Sequence, residues 1–342
     1  MALYTLPRRT FEAFSLSAPS WATPWRRAGA SEPRRSGPKI ALIGNCQARE
    51  VGHAIRLMKP GSPVTYIPMV TLRREYGDLL GLAKALSAYD YVFSQFFPSD
   101  LIAGGYPGLA DIEKRLRPFP TIVFPAYHPD MVYAGAVARL SALKLARSPL
   151  GQYHSAIALC AYRLGLTVAQ TTTLYREEVF ARLGYLASWD MAVQDLLANA
   201  RSIGFPLDGE IVRWARRSSF MHGINHPKSF VIGDIARRLL DESGLSPEPV
   251  AVEDYLGDEL ARDVVWPIYP AIAEAYGLSG SYLFKARPRG KAFPALYDLT
   301  GFIAASFELY AQTDEAGRAC DRVDAWIATP GILDLFMAAK AA

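Results

Sequence analysis

Four short apolar runs punctuate the first third of the chain: Ile40-Ala41-Leu42-Ile43, Val64-Thr65-Tyr66-Ile67, Tyr91-Val92-Phe93-Ser94 and Thr121-Ile122-Val123-Phe124. Each has the length of a strand. The first is apolar without alternation, as in a strand covered on both faces. Their starts lie 24, 27 and 30 residues apart, and helical patterns at Ala48–Met58, Gly77–Leu86 and Ala110–Leu116 fill the gaps. Strand, helix, strand at this spacing predicts right-handed crossovers and a parallel sheet. From Tyr153 onward helical periodicity dominates, in stretches such as Met191–Ser202, Ser229–Ser243 and Tyr297–Tyr310. The expected fold class is α/β: a flavodoxin-like parallel sheet of at least four strands flanked by helices, with a large, mostly helical C-terminal part. The expected division is 1–38 as a disordered basic tail, 39–150 as the sheet domain, and 151–342 as the helical part that completes the site.

Composition changes this picture little. Of 342 residues, 51% are hydrophobic and 20% charged, a globular balance. No apolar run approaches the roughly 20 residues of a spanning helix, so no transmembrane segment is expected. Three cysteines form at most one pair, and a core of this size needs no disulfide, so a reducing, cytoplasmic setting is expected. The net charge of +4 comes from the tail, where six arginines face two acids. The remaining 31 basic and 31 acidic residues balance. A nucleic-acid-binding body would carry its own basic surface, so no nucleic-acid partner is expected. Arg8-Arg9 resembles an export signal, but no apolar segment follows it.

Open α/β sheets bind ligands beyond the carboxyl ends of their strands, where the strand order reverses. With order 2-1-3-4, that point lies between the first and third strands. The residues there are Gly44-Asn45-Cys46-Gln47 and Gln95. The turn lacks the glycines of a dinucleotide fingerprint and the Gly-Lys-Ser/Thr of a phosphate loop. A cysteine phosphatase needs an arginine six residues after its cysteine, and Gly52 stands there. What remains is a thiol at a helix N-terminus, where amides and dipole are expected to lower its pKa. The alternative is a small buried filler. Cys160 and Cys320 lie within helical stretches and read as structural.

A thiol nucleophile needs a base. Among five histidines, His226 follows Asn225 and precedes Pro227, which biases it out of helix and into a loop. His53 lies inside the first helix and reads as structural. His222 and His226 have i,i+4 spacing, but Pro227 breaks the helix a metal pair needs and no third ligand is nearby, so no metal is expected.

Gly44-Asn45-Cys46-Gln47 together with Asn225-His226-Pro227 resembles the WcbI-type polysaccharide (capsule) biosynthesis acetyltransferases, over roughly residues 38–310. Gly280-Ser281-Tyr282-Leu283-Phe284-Lys285 adds to the likeness. The resemblance implies coenzyme A as ligand and a site similar to that of SGNH esterases, with Asn45 in place of their Asp and Cys46 in place of their Ser. Those esterases carry an Asp three residues before the histidine. Here Gly223 stands there, and the third member is unidentified. The implied activity is acetyl transfer from acetyl-coenzyme A to a sugar hydroxyl, with a sugar or polysaccharide precursor as acceptor. The alternatives are an SGNH-like esterase or deacetylase, or a non-catalytic binder of coenzyme A or carbohydrate. The expected catalytic set is Cys46, His226, Asn45, Gln47 and Gln95, the last three as oxyanion donors. Arg73, Arg74, Lys285, Arg287, Arg289 and Lys291 are the expected grip on coenzyme phosphates. Tyr127, His128 and Asn225 are expected to bind the acceptor.

Overall fold

A computed structural model of the chain describes residues 37–95, 114–136, 144–288 and 292–342, with the side chains of Val70 and Arg73 excepted. Strand β1, Ile40–Gly44, is the central strand, buried along its whole length. Ile40 and Leu42 face one core while Ala41 and Ile43 face another, as a period of two requires. Helix α1, Cys46–Met58, follows after a single residue and buries Ala48, Val51, Ala54, Ile55 and Met58 on the first of those cores. Strand β2, Val64–Pro68, and strand β3, Tyr91–Ser94, flank β1 in parallel. Between them lie α2, Leu72–Tyr76, and α3, Leu79–Leu86, whose leucines cover the second face. The order is β2-β1-β3, followed on the far side of β3 by a fourth strand, as in a doubly wound sheet.

The fourth strand differs from the sequence expectation. β4 is Leu116–Pro118, paired in parallel with β3. Thr121–Phe124 has left the sheet, and Leu116 sits in a strand rather than closing a helix. Pro118 and Pro120 give the reason, because neither can donate to a ladder. Ile122 and Phe124 are nevertheless buried. The Phe124 amide donates to the Ile224 carbonyl at 2.8 Å, and Ile122 finds its partner in a side chain described below. Most of the expected helix over Ala110–Leu116 lies outside the described residues.

Gly37–Ala342 forms one compact unit. Helices Trp189–Ser202, Asp208–Arg217 and Ser229–Glu242 pack with α1 on the first sheet face. Two short helices, Val168–Thr172 and Glu177–Arg182, precede them in the chain. A further core surrounds helix Ala156–Arg163, against Leu299–Ala311 and Asp321–Ala328. Asp130 anchors it: its carboxylate accepts from the Ile157 amide, Tyr185 and Tyr269 at 2.8–3.0 Å. Cys160 and Cys320 are buried here as free thiols, in keeping with a structural role.

Two histidines away from the cysteine turn are buried and neutral. Burial pushes His154 down to about 4, while its ring contacts the Tyr310 hydroxyl at 2.9 Å. Burial likewise pushes His128 down to about 3. In the unfolded chain both protonate near their ordinary 6.5. Below that pH the unfolded state binds more protons than the folded one, so stability present above it falls with acidification. The denaturation midpoint should therefore drop steadily from about pH 6.5 to about pH 4, and His154→Asn should flatten the slope. A midpoint constant over that range would contradict the assignment of both histidines as buried and neutral.

Candidate active site

The turn after β1 is built by close approach. A Cβ on Gly44 would overlap the Gln95 side-chain oxygen and the Ala48 methyl, so the position requires glycine. Asn45 is the N-cap of α1, and its Oδ1 accepts from the Gln47 amide at 2.9 Å. Its own amide donates to Gln95 Oε1 at 3.0 Å. Gln95 continues from β3, its amide donating to the Ile43 carbonyl. Gln95 Nε2 is buried with no partner among the described residues. Gln95 thus keeps a donor beside the turn.

Gln47 departs from its expected role. Its Oε1 accepts from the Ile122 amide, and its Nε2 donates to the carbonyls of Ile122 and Asn225, all at 2.9 Å. The side-chain amide imitates a neighbouring strand for the displaced 121–124 segment. It is 1% exposed, and both N–H groups are engaged, so it has none left for an oxyanion. It is a positioning residue. Its bond to Asn225 ties the cysteine turn to the histidine segment across 178 residues of chain.

That segment is a tight antiparallel pair, Met221–Gly223 with His226–Pro227, rather than an open loop. Asn225 is held by Tyr153, which donates to its Oδ1 at 3.1 Å, and by its own Nδ2 donating to Tyr133 at 3.2 Å. With its carbonyl taken by Gln47, Asn225 acts as a brace beside the site. The His226 ring lies edge-on to Tyr153, centroids 5.9 Å apart.

The expected low thiol pKa is not what the environment produces. Burial pushes the Cys46 thiol up, and the Asp263 charge adds to this. The amides of Gln47 and Cys46 and the Arg49 guanidinium pull the other way without prevailing. The helix-terminal amides are in place, but desolvation of a thiolate outweighs them. Burial also depresses the His226 imidazole, against the opposing pull of Asp263 and the Val264 backbone. At neutral pH the pair is a thiol and a neutral imidazole, so the thiol needs the base.

A cleft of about 840 Å³ is lined among others by Arg147, Gln152, Asp263, Arg287, Glu308 and Tyr153, the last of which also contacts Asn225 and the His226 ring. Its size suits a small-molecule ligand. Arg287 reaches it, but is paired with Asp263 through Nε to Oδ1 at 2.6 Å and a second contact to Oδ2. Lys285 does not reach out for phosphate. Its ammonium donates to the carbonyls of Ala261 and Asp263 at 2.5 and 3.0 Å, and burial lowers its pKa. Lys285 and Arg287 do project to one side, as alternation predicts, but they meet the 261–263 segment. Arg289 and Lys291 lie outside the described residues. Arg74 is exposed, 3.6 Å from Glu75, and Arg73 shares its short helix after β2.

Tyr127 and His128 are not acceptor-pocket residues. Tyr127 is buried in an aromatic cluster with Phe124, Trp189, Phe220 and Tyr276, which raises its pKa well above the ordinary phenol value. His128 is 2% exposed, near the Pro267 and Met221 carbonyls, and neither ring nitrogen makes a well-formed hydrogen bond. The fold turns this segment inward because Thr121–Phe124 has left the sheet edge. His222 bonds Asp258 at 2.9 Å rather than sharing a ligand with His226. Among the described residues no group of three or more His, Cys, Asp or Glu could hold a metal ion, and no helix is long and apolar enough to cross a membrane.

Sequence reasoning missed Arg49, Tyr133, Tyr153 and Asp263. Arg49 follows Cys46 at i+3 on α1, a spacing that puts both on one face. The others carry no local signal.

Fold and site define an open α/β protein with a cysteine at the switch-point turn, tied through Gln47 and Asn225 to a later hairpin that carries a buried histidine. The family model described as polysaccharide biosynthesis enzyme WcbI matches residues 39–248. The chain belongs to this family. It is also similar to a solved structure of WcbI, described as a novel polysaccharide biosynthesis enzyme. The TM-score is 0.52 at 13% identity, over 90% of this chain and 99% of that one. That structure is described as native protein without a disulfide bond between coenzyme A and one of its cysteines. No curated protein matches the chain.

Proposed function

We propose that this chain transfers an acetyl group from acetyl-coenzyme A to a sugar hydroxyl during polysaccharide assembly, as in a capsule, using an SGNH-like Cys46–His226 pair. The observation that carries the reading is the Gln47–Asn225 bond, which fixes the neighbours of Cys46 and His226 to each other. The coenzyme named for the solved WcbI supports the choice of donor.

Neutral His226 takes the Cys46 proton as the sulfur attacks the thioester carbonyl. The Cys46 amide and Gln95 Nε2 stabilise the oxyanion. The carbon–sulfur bond to the coenzyme breaks, its thiolate takes the proton from His226, and acetyl remains on Cys46. His226 then takes the proton of the sugar hydroxyl as its oxygen attacks the acetyl-cysteine. The proton returns to the Cys46 sulfur as the ester leaves. Arg287, Arg147 and Arg74 supply cationic side chains for the donor's phosphates, with Arg147 and Arg287 in the cleft itself.

Acetyl-coenzyme A alone should leave one acetyl group on the Cys46 peptide by mass spectrometry. A sugar acceptor should discharge it as sugar ester. Discharge to free acetate at the same rate with and without the sugar would point to an esterase. Absence of the adduct, with full turnover by Cys46→Ala, would remove the nucleophile.

A further inference from the structure

The site as described has a nucleophile and a base but no acid. The position an SGNH esterase would use is Gly223, which has no side chain. The missing charge enters from another direction. Residues 263–266 run alongside the histidine hairpin: the Trp266 amide donates to the His222 carbonyl at 2.8 Å, and Val264 backbone lies beside the His226 ring. Val265 pairs with Lys285 in the opposite direction, so this strip is held between the hairpin and the 284–287 segment. Asp263 begins the strip and lines the same cleft as Tyr153. The residue is fixed twice over, with Arg287 gripping both carboxylate oxygens and Lys285 holding the backbone carbonyl. Its charge acts on both His226 and Cys46.

We propose that Asp263 is the carboxylate that completes this site: it faces His226 and Cys46 from the cleft wall, the Val264 backbone orients the ring, and Arg287 sets where the carboxylate stands. The inference deepens the proposed acetyl transfer and rests on it for its kinetic part only. The proton passes from sulfur to imidazole, turning a neutral pair into thiolate and imidazolium. A fixed carboxylate stabilises the imidazolium and opposes the thiolate, so the sulfur stays protonated until substrate arrives. Arg287 has the reverse influence on both groups. An anionic substrate that drew Arg287 away would strengthen the carboxylate's hold on the imidazolium. Asp263 does not touch the reacting atoms and is therefore a positioning residue.

Other charges must be kept in view. Cys46 is also faced by Arg49 on its own helix, by Tyr66 on β2, and by Tyr133 and Tyr153. His226 is also faced by His222. None of these changes in the variants below.

The test follows alkylation of Cys46 by iodoacetamide against pH in the full chain, read on the Cys46 peptide so that Cys160 and Cys320 do not contribute. In Asp263→Asn the alkylation curve should move to lower pH, and in Arg287→Gln to higher pH. Asp263→Glu should lie nearest the parent. In the transfer assay Asp263→Asn should lose at least about tenfold in kcat, about 1.4 kcal/mol, with KM for the donor little changed. The acid limb of its pH profile should move down, because the imidazolium loses its counter-charge. Coincident alkylation curves for the parent and Asp263→Asn would overturn the proposal whatever the activity. If Asp263→Asn does not fold, Arg287→Gln decides, and a curve that fails to rise overturns it equally. Opposite shifts in a protein that transfers no acetyl would uphold Asp263 while removing the functional reading.

Discussion

Replacing His226 with glutamine should lower kcat for acetyl transfer by about 10²–10⁴-fold, the usual contribution of a positioned acid–base group. The loss should sit at the high end because of the thiol. A cysteine with a depressed pKa would already be partly thiolate at neutral pH and would tolerate a missing base. Burial and Asp263 hold Cys46 in the opposite state, so the proton has to be removed during attack. Glutamine keeps bulk and hydrogen bonding in a site only 4% exposed, which separates loss of the base from loss of packing. KM for acetyl-coenzyme A should change little, since the imidazole acts on the proton in flight rather than on the coenzyme's phosphates. The depressed imidazole also sets the pH response: the acid limb of kcat/KM should fall below the ordinary histidine value. A variant that raises KM and keeps kcat would make His226 a binding residue and undo the assignment.

Gln47→Leu should cost about 3 kcal/mol or more of folding stability and most of the activity. Leucine fits the volume but leaves the Ile122 amide and the carbonyls of Ile122 and Asn225 without partners. Each buried group left unpaired costs about 1–3 kcal/mol. Gln47→Glu should be comparably harmful. It retains an acceptor for the Ile122 amide but sets an oxygen against two carbonyls. Denaturant titration measures the stability loss, and transfer assays on the folded fraction measure the second effect. Stability equal to the parent in Gln47→Leu would mean that these three bonds do not hold the segment. Activity should fall further than the folded fraction accounts for, because the Asn225 brace loses its tie to the turn.

These outcomes depend on features of different legibility. The sheet was readable because its signals are local. An unbroken apolar run marks a strand covered on both faces, and crossover spacing fixes parallel order. Gly44, Asn45 and Cys46 could be placed at the switch point from the strand order alone. The fourth strand was misplaced because Leu116–Pro118 is short and proline-bounded, while Thr121–Phe124 has the apolar content of a strand without a ladder. The amide that satisfies it belongs to Gln47, 75 residues earlier.

The basic residues show the same limit from another side. Alternation at Lys285 and Arg287 correctly predicts a shared side, since that follows from backbone geometry. What lies on that side depends on which strip packs there, and it is the 261–263 carbonyls and carboxylate. Tyr127 and His128 follow what reads as a strand end, but the real fold buries them among aromatic rings.

By itself, then, the sequence determined the α/β class, the first three strands, the cysteine turn and the histidine segment, because periodicity and turn chemistry act over a few residues. The tertiary structure alone decided that burial raises the Cys46 thiol, that Gln47 spends its side-chain amide on Ile122 and Asn225, and that Asp263 begins a strip packed on the histidine hairpin. Those depend on burial and on charges brought together from residues far apart in the chain, and desolvation is a property of the packed site rather than of any segment.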